Sequence, residues 1–148
     1  MRIVDLSEQA DWIDRAARWF SAHWGIPEAV YRASMREKSV RGVPKWFLAL
    51  DEGGIAGGLG VIANDFHRRR ELTPNICAVY VEERARGKGL ARALLNRACA
   101  ALAAEGWTAV YLLTDHERLY ERMGWEFIGM AEENGGGWAR VYMRRLEK

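Results

Sequence analysis

VYVEERARGKGLA, residues Val79 to Ala91, decides how the chain is read. An apolar run, residues 75–81, enters a loop holding Gly87 and Gly89, and the loop opens directly into a helix. That helix is marked by Leu90, Leu94, Ala98 and Leu102, apolar residues recurring every fourth position from about Gly89 to Ala104. The run before the loop has the mostly unbroken apolar character of a central strand buried on both faces. A strand-to-helix turn of this kind aims several backbone N–H groups at one point, and the helix dipole adds partial positive charge there. Gly87 and Gly89 lack a Cβ, so an anion can approach the main chain closely. Arg84, Arg86, Lys88 and Arg92 surround the turn. The stretch therefore reads as a cradle for a phosphate or pyrophosphate. Neither common nucleotide signature fits it. The P-loop spacing with its terminal Lys-Ser/Thr is missing, and Arg92 stands where a dinucleotide fingerprint needs its third glycine.

Outward from this stretch, the hydrophobic rhythm alternates between helix and strand. Residues 2–6 read as a short strand. Ser7 is the expected cap of a helix carrying Trp12, Ala16, Trp19, Phe20 and Trp24, with Gly25 as its stop. Pro27 opens a second helix over about 28–39. Residues 45–50 and 55–63 form a hairpin across Asp51-Glu52-Gly53-Gly54, and the glycines at 57, 58 and 60 mark a bulge or close packing. Residues 64–74 are polar and arginine-rich, hence a loop. After the central helix, 108–114 is a further buried strand, 115–123 a short helix closed by Gly124, and 125–131 and 138–146 a final strand pair. The order predicts an α/β (α+β) fold, a mixed sheet with helices packed on it, in which residues 76–114 make one β-α-β crossover.

Composition sets the outer limits. The chain has 148 residues, 49% of them hydrophobic, and a net charge of +2, which predicts one domain with a real core, residues 1–148, and excludes a wholly disordered chain. No apolar run approaches the ~20 residues of a membrane-spanning helix, and the N-terminus lacks a signal-peptide core. Cys77 and Cys99 fit no disulfide framework or metal spacing and read as inert core thiols, and His23 and His116 have no partner at ligand spacing. These features predict a cytoplasmic, metal-free protein with no membrane partner. The small net charge argues against nucleic-acid binding, and Arg68-Arg69-Arg70 reads as a solvated loop. The charge is also unevenly spread, because residues 82–92 hold four basic and two acidic side chains and so carry +2 by themselves.

Arg86-Gly87-Lys88-Gly89-Leu90-Ala91 resembles the coenzyme A loop of the GNAT superfamily of acetyl-CoA-dependent N-acetyltransferases, whose signature is Q/R-x-x-G-x-G/A at a strand-to-helix junction. A second match supports the first. Leu119-Tyr120-Glu121-Arg122-Met123-Gly124-Trp125 is similar to the family pattern F/L-Y-x-x-x-G-F and places Tyr120 at the expected 29 residues after Ala91. The close resemblance covers residues 76–127, and the element order fits the family nearly throughout. Leu113 departs from it, standing where many members have asparagine.

The resemblance implies a mostly antiparallel sheet, splayed at its central parallel strand pair, with helices on both faces. It implies transfer of an acetyl group from acetyl-CoA to a primary amine of a small molecule, by direct attack through a tetrahedral intermediate. A protein or peptide acceptor and a non-catalytic coenzyme A-binding module stand as alternatives, and a homodimer is left open. The residues of the cofactor site would be Val79 and Val81 along the pantetheine arm and Arg86, Gly87, Lys88, Gly89, Leu90 and Ala91 around the pyrophosphate, with the Val81 N–H as oxyanion donor. Tyr120 would protonate the departing sulfur. Glu82 is the preferred proton acceptor by analogy, with Glu83, Asp115, His116, Asp65 and His67 as further options. Trp12, Trp19, Trp24, Tyr31 and Met35 read as helix-packing residues or, alternatively, as an aromatic wall to the acceptor pocket.

Overall fold

The computed structural model describes residues 1–147. Seven strands form one sheet: β1 (Arg2–Asp5), β2 (Lys45–Asp51), β3 (Gly54–Ile62), β4 (Asn75–Val81), β5 (Ala109–Thr114), β6 (Glu126–Glu132) and β7 (Trp138–Arg145). Their spatial order is β1-β2-β3-β4-β5-β7-β6, and every neighbouring pair is antiparallel except β4 with β5. Three helices cover the sheet: α1 (Ile13–Trp24), α2 (Glu28–Arg36) and α3 (Leu90–Ala104).

Strand β2 shows why both faces are covered. Its alternate residues Phe47 and Ala49 face the cluster built around Leu94, Leu95, Ala98 and Leu102 of α3, whereas Trp46, Leu48 and Leu50 join Ala16, Ala17, Phe20 and Tyr31 of α1 and α2. Full burial of each such leucine contributes about 2 kcal/mol. The glycines of β3 are required by this packing. A Cβ on Gly58 would lie 2.8 Å from the Phe20 ring, and one on Gly60 would lie 2.5 Å from the Trp46 ring.

Three expectations are corrected. Ser7 caps no helix; its N–H and hydroxyl both donate to Asp5 Oδ1, and a 3-10 turn at Ala10–Trp12 precedes α1. The segment 115–123 is irregular apart from a 3-10 turn at Glu121–Met123; Arg118 takes φ +69°, which a right-handed helix does not allow, and Tyr120 and Trp125 pack into the core. Strand β4 is buried on both faces only over Asn75–Cys77, and its remaining residues are half-exposed. The reason is the sheet itself. β4 and β5 pair only at Asn75↔Tyr111 and Ile76↔Leu112, then diverge.

Candidate active site

The divergence of β4 from β5 is accompanied by a bulge. Tyr80 pairs with Gly58 but Cys77 with Gly60, so Ala78 and Val79 together oppose Leu59, and Ala78 takes φ +55°. Beyond the bulge, the Glu82 N–H donates to Ala56 O at 2.8 Å. Antiparallel pairs alternate between bonded and non-bonded positions, so the intervening pair, Gly57↔Val81, turns its Val81 polar groups away from β3. The Val81 carbonyl is taken on that open side by Arg86 Nε, which donates at 3.0 Å. The Val81 N–H faces the gap left by β5.

Two cavities flank this strand end. One, of about 210 Å³, lies at the N-terminus of α3 and is lined by Val81, Arg86, Gly87, Gly89, Leu90, Ala91, Arg92 and Met123, among others. Gly87 and Gly89 adopt φ of +79° and +74°, a conformation that favours glycine, and nothing lies within 4 Å of where a Cβ would stand on either. The first helical bond runs from Ala93 N–H to Gly89 O, so the N–H groups of Leu90, Ala91 and Arg92 have no intrahelical acceptor. An open concavity with unclaimed donors and a positive dipole end suits a pyrophosphate, so the residues present fit coenzyme A there. Lys88 lies in the loop without lining the cavity and makes no ion pair among the described residues. Arg84, by contrast, is spent on Asp51 at 2.9 Å, and Arg92 donates to Arg122 O at 3.3 Å.

The second cavity, of about 430 Å³, opens where the sheet splays, and its walls include Val79, Leu113, Thr114 and Tyr120. Tyr120 is 7% exposed, and burial pushes its phenol up to about 12, so the hydroxyl stays protonated through the neutral range. Asp65, Asp115, His116 and Glu133 line the same cavity. Burial raises the Asp65 carboxyl to about 6, with Glu133 adding to the shift and His67 opposing it.

Glu82 lines neither cavity. Its Oε1 accepts Trp19 Nε1–H at 2.9 Å and His23 Nε2–H at 2.7 Å, and His23 stacks on Tyr80 at 3.8 Å. Partial burial pushes the carboxyl up, but the bonds from Trp19 and His23 and the charges of His23 and Arg84 outweigh it and hold it below its ordinary value. His67 is fully buried and committed at both nitrogens. Nδ1 accepts the Arg69 N–H at 3.1 Å, which leaves Nε2–H to donate to Asn75 Oδ1 at 2.7 Å. Its role is to pin the 64–74 loop.

The structure brings together Val81, Arg86, Gly87, Gly89, Leu90 and Ala91 in one concavity and Val79 with Tyr120 in the other, leaving Lys88 and Glu82 outside both linings. Sequence reading did not single out the Tyr31 hydroxyl, because a tyrosine on an apolar helix face gives the same signal as a packing phenylalanine.

Among the described residues no group of three or more His, Cys, Asp or Glu could hold a metal, and no helix is long and apolar enough to cross a membrane.

This arrangement of splayed sheet, bulge and glycine loop at a helix start is an acetyltransferase fold. A family model described as an acetyltransferase (GNAT) domain matches residues 44–127, more than half of the chain, and the protein belongs to the GNAT acetyltransferases. No curated protein sequence matches the chain. Among solved structures, an aminoglycoside 6'-N-acetyltransferase complexed with coenzyme A is 14% identical, with a TM-score of 0.74 over 98% of this chain and 97% of the other. A GNAT-family acetyltransferase from Streptococcus pneumoniae is 15% identical, with a TM-score of 0.72 over 98% and 99%. The aminoglycoside 6'-N-acetyltransferase from Enterococcus faecium is 16% identical, with a TM-score of 0.73 over 98% and 97%. At these identities the likeness establishes the fold and leaves the acceptor open.

Proposed function

We propose that the chain, residues 1–148 acting as one domain, transfers an acetyl group from acetyl-CoA to a primary amine of a small molecule. The observation that carries this reading is the divergence of β4 from β5, which opens a gap beside the Val81 N–H and leaves Val79 and Tyr120 lining the splayed cavity. The loop from Arg86 to Ala91 would hold the pyrophosphate with its backbone N–H groups, and Lys88 would add charge to it. Val79 and Val81 would pair with the pantetheine arm as an added strand.

Acetyl-CoA supplies an activated acetyl thioester. The acceptor's neutral amine nitrogen attacks its carbonyl carbon directly to form the C–N bond of a tetrahedral intermediate, whose collapse breaks the C–S bond. The nitrogen gives up a proton to a carboxylate lining the cavity or to water. The Val81 N–H would donate to the oxygen on which negative charge develops. Tyr120 delivers a proton to the sulfur that leaves. A phenol at about 12 is a weak acid beside a free thiol at about 8.5, but the burial that raises Tyr120 also disfavours a bare thiolate in the same cavity. A coenzyme A-complexed structural relative that acts on an aminoglycoside is consistent with a small-molecule amine as acceptor. Thiol release from acetyl-CoA across a panel of small amines and peptides tests the reading. Turnover with small amines is expected. Binding of acetyl-CoA without turnover of any amine would leave only a coenzyme A-binding module.

A further inference from the structure

The side of the 430 Å³ cavity furnished by α1, α2, β2 and the 64–74 loop carries its own chemistry. Trp24, Val30, Tyr31, Trp46 and Phe66 give it an apolar, aromatic wall. Into this wall two polar groups are set without partners. The Tyr31 side chain is 4% exposed, and its hydroxyl makes no hydrogen bond among the described residues. The Asp65 main chain is fixed, its N–H donating to Asn75 Oδ1 at 2.9 Å, yet its carboxylate has no hydrogen-bond or ion-pair partner among the described residues. Burial pushes the Tyr31 phenol up to about 12, with smaller contributions from Cys77 and Asp65, and both Tyr31 and Asp65 line the one cavity. Asp115, Glu133 and His116 complete the titratable lining, and no lysine or arginine lines the cavity.

An unpaired carboxylate in an apolar pocket costs stability unless something binds there. With no lysine or arginine in the lining, a cation from solution is the partner the site lacks. Given the acetyl-transfer reading, we propose that Asp65 and the Tyr31 hydroxyl receive the ammonium group of the acceptor, and that the acceptor is a primary amine carried on a compact apolar body. A primary ammonium has three N–H donors; the carboxylate takes one and the phenol oxygen a second. The faces of Trp24, Trp46 and Phe66 favour both the cation and an apolar body beside it. Against this aromatic wall the hydroxyls of an aminosugar would find no partners, which leaves them only Ser34, Thr114, Asp115, His116 and Glu133 elsewhere in the lining.

Tryptophan fluorescence reads this site directly, because Trp24 and Trp46 line it. Protein saturated with coenzyme A is titrated with 2-phenylethylamine, its neutral counterpart 2-phenylethanol, and kanamycin. The amine is expected to give a saturable change and to bind more tightly than either comparator. Asp65→Asn should weaken it about tenfold or more, and Tyr31→Phe about threefold or more, with coenzyme A affinity unchanged in both. Melting curves verify that both variants fold. Absence of 2-phenylethylamine binding, equal binding of the alcohol, tighter binding of kanamycin, or wild-type affinity in Asp65→Asn would each overturn the proposal. Thiol release separates it from the reading on which it rests. Asp65-dependent binding without release keeps the subsite and removes the transfer reaction. Release with an unchanged KM in Asp65→Asn does the reverse.

Discussion

The imidazole of His23, at the end of α1, donates to the carboxylate of Glu82, just past the end of β4, across 2.7 Å. With the Trp19 indole on the same oxygen, this contact ties the first helix to the strand from which the Val81 N–H projects. Glu82 thus serves as an anchor for the wall of the splayed cavity.

Replacing Glu82 tests that role. Glu82→Ala should lower stability by about 1–2 kcal/mol, the order of two partly exposed hydrogen bonds to a charged acceptor. Because the folded carboxyl is held below its ordinary value, this contribution is present above the unfolded value near 4.5 and fades as pH falls through the folded one. Denaturant melts at pH 7 and pH 3.5 measure it. A kcat reduced about a hundredfold at unchanged stability would instead give Glu82 the proton-accepting role.

Tyr120→Phe removes a hydroxyl and leaves the packing against Trp125 and Tyr142 in place. Turnover should fall about a hundredfold or more, with acetyl-CoA affinity nearly unchanged. Wild-type turnover in a thiol-release assay would exclude Tyr120 as the acid.

The glycine loop separates charge from backbone. Lys88→Glu should weaken coenzyme A binding, most strongly at low salt, without altering the melting temperature. Gly89→Val should weaken binding and also destabilise by about 1–2 kcal/mol, since valine is strained at φ +74°. Calorimetric titration against coenzyme A distinguishes the two, and unchanged affinity in both would contradict the cradle.

Asp65 should weaken the fold in a pH-dependent way. Its carboxyl is raised to about 6 in the folded chain from an ordinary value of 3.8, so ionised Asp65 costs stability above pH 6. The cost shrinks as pH falls through 6 and is gone below 3.8. Asp65→Asn should therefore be more stable than the parent at pH 8, by up to about 3 kcal/mol, with the gap closing by pH 4. Parallel denaturant melts at the two pH values decide it, and a constant gap would show that the carboxyl is not strained.

Gly60 tests the packing on the other face. Gly60→Ala would press a Cβ to 2.5 Å from the Trp46 ring, which is itself held by its N–H donating to Ser34 Oγ at 2.9 Å. The expected cost is about 1–3 kcal/mol in a denaturant melt.

Much of this protein is written locally. Strand β4 spans Asn75–Val81 as its apolar run predicts, and the recurrence of Leu90, Leu94, Ala98 and Leu102 fixes α3 to within a residue. The loop between them is legible because positive φ at Gly87 and Gly89 is a property of two adjacent glycines and a helix start. Such features depend on residues a few positions apart, and the sequence records those directly. The segment 115–123 shows where that stops, since the local helical pattern is interrupted by a positive φ at Arg118 as Tyr120 and Trp125 pack into a core built from distant residues.

The sequence by itself determined the α/β order of elements, the glycine turn at residues 86–91 that opens α3 and the family resemblance that singles out Tyr120. Only the tertiary structure decided which acidic side chain belongs to which environment. Glu82, chosen from its place in the chain, is turned to Trp19 and His23, 63 and 59 residues away, and Asp65 enters the cavity because the buried His67–Asn75 pair folds its loop inward. Carboxylates look alike in a sequence. Their solvation, partners and protonation come from atoms brought near by packing, and only the folded chain specifies those.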